Sequence, residues 1–266
     1  MVIDCKQIAK DMKENMRTVI AERGLNLKLT IIKVGNDPAS ESYIKGKVKD
    51  CQEVGITTDV FKLGENISEL DLIRIIRKYQ KESNGIIVQL PLPKHINKDK
   101  IIAAIDKHKD VDGFRRDSDF IPCTPAGIMR LLPKDLAGKD CLIINRSDIV
   151  GKPLVNLLLN RNATVTIAHS KTRDLESKIR QADIIVTAVG IPNFIRLDML
   201  NSNQTVIDVA INRGEDGKLC GDLEKPQEDV DFTYTPVPGG IGLMTRAMLL
   251  YNVLSTAVGT EELKTI

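Results

Sequence analysis

The chain of 266 residues is long enough for two compact domains or one large one. Apolar residues make up 42%, charged residues 28%, and the net charge is +2, so there is no electrostatic reason to expect a nucleic acid or an anionic membrane as partner. Five cysteines (Cys5, Cys51, Cys123, Cys141, Cys220) are scattered without paired spacing, which argues against a disulfide framework or a metal site and for reduced thiols.

The first residues, MVIDCKQIAKDMKENM, are charged and amphipathic with no apolar signal core, and no apolar run approaches the ~20 residues of a membrane span. A cytoplasmic location is expected. Segment 28–34 (KLTIIKV) is a β-branched run that predicts a strand. In the following DPASESYIKGK, Asp37 suits a helix cap and Pro38 a first turn. Ile44, Val48 and Cys51 then recur at helical spacing as a buried stripe that ends before Gly55. A weaker strand at 58–63, a helix over 69–81 and a strand at 85–90 (GIIVQL) complete the first series. The stretch 114–125, FRRDSDFIPCTP, is polar, proline-bearing and aperiodic, which predicts a boundary between a domain at 1–119 and another at 120–266. Strands at 140–144, 164–168, 183–189 and 205–210 follow, with helices at 152–160 and 174–181 between the first three. A last helix, about 243–258, is apolar enough on one side to pack back on either domain. This alternation predicts an α/β fold with parallel sheets, and no internal repeat is visible.

Several residues stand where chemistry is done. Tyr43 and Lys47, four apart on one helix, bring an aromatic ring and an amine together. A lysine in such a place can serve as general acid or base when its surroundings make the proton exchangeable near neutrality; a snorkelling lysine beside an ordinary aromatic has the same spacing. Gln89 ends the GIIVQL strand before Pro91-Leu92-Pro93, and open α/β sheets bind ligands at that edge. Asp112 lies at the glycine turn of KDVDGF, a common turn pair, where a buried carboxylate can accept two hydrogen bonds from an aminopyrimidine-type ring.

The strand at 140–144 runs into Asn145-Arg146-Ser147-Asp148-Ile149-Val150-Gly151 and a helix, the setting in which backbone amides and the helix dipole favour phosphate. Where a site selecting NAD carries an acidic residue, about 20 residues on, this chain has His169-Ser170-Lys171-Thr172-Arg173. With Arg146, that edge favours NADP over NAD. The segment Thr235-Pro236-Val237-Pro238-Gly239-Gly240-Ile241-Gly242 combines stiff and permissive residues, as a ligand-facing loop or a tight hinge would.

In this order the segments SESYIKGK, GIIVQLPLP, KDVDG, PCTPAGI, RSDIVGKP, TVTIAHSKT, ADIIVTAVG, VIDVAIN and TPVPGGIG closely resemble the bifunctional methylenetetrahydrofolate dehydrogenase/methenyltetrahydrofolate cyclohydrolase family. The resemblance implies an N-terminal folate-binding catalytic domain and a C-terminal Rossmann-like NADP-binding domain. It implies NADP-dependent oxidation of 5,10-methylenetetrahydrofolate, then hydrolysis of the methenyl product to 10-formyltetrahydrofolate, by a homodimer. Lys47 is then the central cyclohydrolase residue, Gln89 adjusts its protonation, Tyr43 stacks on the folate and Asp112 grips the pterin. Asn145, Arg146, Ser147, Ser170 and Ile211 hold NADP, and Pro238, Gly239 and Gly240 line the folate cleft. The chain departs from the family pattern in placing Asn145, Ala210 and Cys5 where glycine is usual and Leu243 where proline is usual, and in a short connection at 114–121. Asparagine tolerates left-handed backbone, which would let the turn at 145 persist. A protein that is mainly a cyclohydrolase and a non-catalytic dinucleotide- or folate-binding module are the competing readings.

Overall fold

The computed structural model describes residues 1–259 and 263. The chain divides into two compact units, one of Lys10–Cys123 with Arg246–Ile266, the other of Met1–Ala9 with Thr124–Thr245.

The first unit is built on three parallel strands, β1 (Lys28–Val34), β2 (Thr57–Leu63) and β3 (Gly85–Gln89), in the order β2-β1-β3. The central strand β1 is buried at every position after Lys28, the mark of a parallel strand covered on both faces. Around it lie the residues from Lys10 onward of α1 (Cys5–Glu22), then α2 (Pro38–Val54), α3 (Glu69–Tyr79) and α4 (Lys98–Ala104). α3 starts where the Ser68 side chain accepts from Asp71 N, carries acids in its first turn and bases in its last, and stops two residues short of the expected 81. Its Leu72 and Ile76 close a core with Ile32, Val34, Ile86, Val88 and Ile101. Full burial of each such side chain contributes roughly 1.5–3 kcal/mol.

The aperiodic stretch after Asp112 is firmly tied. The Arg115 guanidinium donates to the carbonyls of Ala103 and Ile105 at the end of α4 and grips Asp117 through two nitrogens. Arg115 N donates to Asp110 Oδ2 at 2.8 Å, and Asn252 Nδ2 donates to the carbonyls of Val111 and Ile121. The short connection thus supplies its own helix cap. The expected break at 114–125 also proves to contain the start of a helix, α5 (Cys123–Leu131).

The second unit holds a five-stranded parallel sheet of β4 (Asp140–Ile144), β5 (Thr164–Ala168), β6 (Ile184–Thr187), β7 (Thr205–Asp208) and β10 (Thr233–Tyr234), ordered β10-β7-β6-β4-β5. A hairpin of β8 (Asn212–Arg213) and β9 (Leu219–Cys220) stands apart. The remaining helices are α6 (Gly151–Leu159), α7 (Leu175–Gln181) and α8 (Ile241–Val258), of which residues 241–245 belong here. Alternation along β4 assigns the two faces: Cys141 and Ile143 pack with Ile128, Leu154 and Leu158, while Leu142 and Ile144 pack with Ile179 and Phe232. The first residues of the chain run along β10, with Ile3 N donating to Tyr234 O and Tyr234 N to Met1 O. Strand order reverses between β4 and β6, so the carboxyl ends of these two strands flank a switch-point crevice, as in Rossmann-type sheets. The α/β class with parallel sheets expected from the sequence is what the chain adopts. By length and composition α8 is apolar enough to cross a membrane, and its Met244, Ala247, Leu250, Val253 and Leu254 are buried within the protein, as in a core helix.

A buried carboxylate stands at the carboxyl end of this sheet. Asp208, at the end of β7, accepts from the amides of Ala210 and Leu223, yet burial outweighs those bonds and pushes its carboxyl up to about 6. A carboxyl whose folded-state proton affinity exceeds the unfolded one adds stability below the unfolded value of 3.8, and loses it as pH rises through about 6. We expect the stability of this unit to fall by ~3 kcal/mol across that window from this group alone. Urea unfolding of the protein and of Asp208→Asn between pH 4 and 8 checks this: the difference between the two curves should change across the window and be flat above it.

Candidate active site

In the first unit the chemistry starts with α2. Asp37 caps it, its side chain accepting from Ser40 N, Pro38 occupies the first turn, and Gly55 closes it in the left-handed conformation. Tyr43 and Lys47 therefore share one face of a well-defined helix. Lys47 Nζ donates to Gln89 Oε1 at 3.2 Å and stands 3.8 Å from Asp112 Oδ1 and 5.8 Å from the centre of the Tyr43 ring. Its side chain is only 6% exposed, and that of Asp112 13%.

Each partner is aimed by local structure. Gln89 ends β3 beside the central strand, and its Nε2 donates to Leu90 O at 2.9 Å, so Oε1 is the atom left facing the amine. Asp112 follows α4 on a segment pinned to β3, where Ile86 N donates to Lys109 O, and its own carbonyl accepts from Cys123 N. Burial raises the Tyr43 phenol, a shift opposed by the Arg246 charge, and pushes the Cys123 thiol well up, so neither is an anion near neutral pH. Tyr43, Lys47, Gln89 and Asp112, all expected from the sequence, come together here. An amine with one hydrogen-bonded carbonyl, one near carboxylate and little water can exchange a proton with a bound substrate.

Two neighbours were not foreseen. Asp50, one turn beyond Lys47, accepts from Lys13 Nζ at 3.1 Å and pairs with Arg246, whose Nε lies 2.8 Å away. The signal available was spacing: Tyr43, Gly46, Lys47 and Asp50 form one stripe at i, i+3, i+4 and i+7.

In the second unit the turn after β4 is the other constructed feature. Asn145 Oδ1 accepts from the amides of Ser147 and Gly151, while its Nδ2 donates across the crevice to Ala188 O at 2.7 Å. The left-handed backbone expected of Asn145 is not adopted: among the described residues, the positive-φ residues other than glycine are Asn162, Asp174, Asn193 and Asn203. Asparagine keeps the turn through its carboxamide instead. Gly151 permits the tight return, since a Cβ there would lie 2.2 Å from Asn145 O. Pairing of Ile144 with Ala168 brings Arg146 and Ser147 to the same sheet edge as Ser170. Arg146, Ser170, Lys171 and Arg173 are exposed there, and no carboxylate follows β5 directly. These hydroxyl and cationic groups fit a phosphorylated ribose. Ile211, 53% exposed, follows β7, and Pro238–Gly240 follow β10, so both lie past the carboxyl ends of their strands, two and three places from β4 in the sheet.

A buried amine beside a carboxamide and a carboxylate on one parallel sheet, and a turn with hydroxyl and cationic groups at the switch point of another, describe a two-domain α/β enzyme. Family models for the catalytic domain and the NAD(P)-binding domain of tetrahydrofolate dehydrogenase/cyclohydrolase match residues 3–112 and 122–261. The chain is 45% identical over 275 residues to a bifunctional protein FolD of Exiguobacterium sibiricum, covering 97% of this chain and 99% of that protein. A crystal structure of the bifunctional enzyme FolD from Campylobacter jejuni superposes with a TM-score of 0.92 at 42% identity, over 97% of this chain and 98% of that one. The Trypanosoma brucei enzyme, complexed with NADP cofactor and an inhibitor, superposes with a TM-score of 0.89 at 30% identity, over 100% and 99%. The chain belongs to the tetrahydrofolate dehydrogenase/cyclohydrolase family.

Proposed function

We propose that the chain oxidises 5,10-methylenetetrahydrofolate to the methenyl form with NADP and hydrolyses that product to 10-formyltetrahydrofolate. The observation that carries the reading is the buried Lys47 amine held on Gln89 beside Asp112 and Tyr43. A protein that only bound folate would have no evident need for it.

The hydride step asks little of the protein chemically. The departing hydride leaves a cation stabilised by the lone pairs of the flanking nitrogens, so no strong base is needed, only alignment. NADP, when bound, supplies the hydride acceptor. Arg146, Ser147 and Ser170 are the groups that would hold its phosphates and ribose, with Asn145 keeping the turn in shape and Ile211 offering an apolar surface. In the hydrolytic step water adds to the methenyl carbon and gives up a proton, and the carbon–nitrogen bond to N5 then breaks as N5 gains one. In this reading Lys47 takes and returns that proton, Gln89 fixes the amine, Tyr43 stacks on the folate and Asp112 accepts hydrogen bonds from the pterin. Pro238, Gly239 and Gly240 contribute to substrate binding. On the family likeness we further propose a homodimer acting in the cytoplasm.

Absorbance of the purified protein with methylenetetrahydrofolate and NADP or NAD tests both activities. Reduction with NADP, at least tenfold less efficient with NAD, plus catalysed decay of methenyltetrahydrofolate supplied alone, is the expected result. Decay without reduction would leave only a cyclohydrolase, and neither activity would reject the reading.

A further inference from the structure

Gly46 occupies the middle of α2, where glycine costs roughly 0.5–1 kcal/mol relative to alanine. Its neighbours explain the choice. A Cβ at this position would stand 2.2 Å from Arg246 Nη1 and 3.2 Å from Arg246 Cζ, so the guanidinium lies directly on the helix backbone. It fills the gap in the stripe that Tyr43, Lys47 and Asp50 otherwise occupy.

The same side chain is held at one end and open at the other. Its Nε lies 2.8 Å from Asp50 Oδ2, a charge contact without the alignment of a hydrogen bond. Asp50 is itself buried and shared with Lys13. Among the described residues no acceptor bonds either Nη, and the side chain is 25% exposed, so part of the fork meets solvent. The Arg246 charge also counters the rise in the Tyr43 phenol, which puts the cation close to that ring. A fixed guanidinium with two uncommitted nitrogens is a preorganised partner for a carboxylate.

We propose that Arg246 binds a carboxylate of the substrate's glutamate tail and so determines specificity for glutamate-bearing folates. The inference rests on the proposed function above, since every substrate named there carries glutamate on its aminobenzoyl ring. An aminobenzoyl ring stacked on Tyr43 lies within about one helical turn, ~5.4 Å, of the guanidinium's place at Gly46, a gap that the glutamate joined to that ring can span. The rival role is a counter-ion that merely neutralises Asp50.

The test compares KM for hydrolysis of methenyltetrahydrofolate and of methenyltetrahydropteroate, which lacks glutamate, in the protein, in Arg246→Met and in Arg246→Lys. The unaltered protein should show a KM about tenfold or more lower for the glutamate-bearing compound, the scale of one charge-assisted bond. Arg246→Met should lose that preference by weakening only the folate, and Arg246→Lys should keep part of it. An unaltered protein that treats both compounds alike would overturn the inference whether or not either variant folds. So would an Arg246→Met variant impaired equally on both, because Arg246 would then act only through Asp50. Failure to hydrolyse either compound would instead reject the cyclohydrolase reading itself.

Discussion

Substitution of Lys47 by methionine should slow methenyltetrahydrofolate hydrolysis by ~10²–10⁴-fold, the usual contribution of a positioned acid or base. Methionine keeps the length and apolar stem that pack beside Tyr43 and removes only the exchangeable proton. The variant should fold normally, because the buried polar group it removes is supported by only one hydrogen bond and one carboxylate at 3.8 Å. NADP-dependent oxidation should persist, since that step needs alignment rather than a strong base. Supplying methylenetetrahydrofolate and NADP should therefore let the methenyl compound accumulate, visible directly by absorbance. Near-normal hydrolysis would remove Lys47 from its role. Equal loss of both activities would mean that the side chain serves substrate binding instead.

The parts of this site that the sequence made legible are those governed by short-range geometry. Tyr43 and Lys47 are four residues apart on a helix, and helical periodicity alone puts them side by side. Gln89 was legible as the last residue of a strand before prolines. Its contact with Lys47 spans 42 residues, however, and depends on β3 pairing beside β1, which no local pattern dictates. The place of Asp112 came mainly from family resemblance, because an Asp-Gly turn is common everywhere.

Other features were hidden for identifiable reasons. Arg246 reaches Asp50 from the far end of the chain, and only the glycine inside α2 hinted that something crosses there. The helix α5 begins within Cys123-Thr124-Pro125, a stretch that reads as a linker because proline suits a first helical turn as well as a loop. At Asn145 the sequence displays only the backbone tolerance of asparagine. What it supplies is a side chain that bonds two amides of the turn and one carbonyl across the crevice.

Asp222 is the residue whose loss should most damage the second unit, and its sequence setting gave no sign of it. Fully buried after β9, its carboxylate accepts from Thr187 Oγ1, from the amides of Val189, Gly190 and Ile191, and from Asn212 Nδ2. Those three amides begin two residues after β6 ends, next to Ala188, the residue that Asn145 also holds. One carboxylate thus fixes the loop on one side of the switch-point crevice. Asp222→Ala would leave five donors without their acceptor, some of them sealed from water. A penalty of ~3–5 kcal/mol follows if relaxation and entering water recover part of that cost. At about 4 °C per kcal/mol for a unit of this size, the unfolding midpoint of this unit should drop by roughly 10–20 °C. Asn212→Ala, which removes a single donor and leaves the carboxylate four others, should cost much less. Calorimetry on the three proteins decides the matter, and a drop for Asp222→Ala no larger than for Asn212→Ala would show that the loop holds its shape without the carboxylate. If the loop is held as described, NADP affinity at 25 °C should weaken in Asp222→Ala. Hydrolysis of methenyltetrahydrofolate supplied alone should be much less affected, since Tyr43, Lys47, Gln89 and Asp112 lie in the other unit.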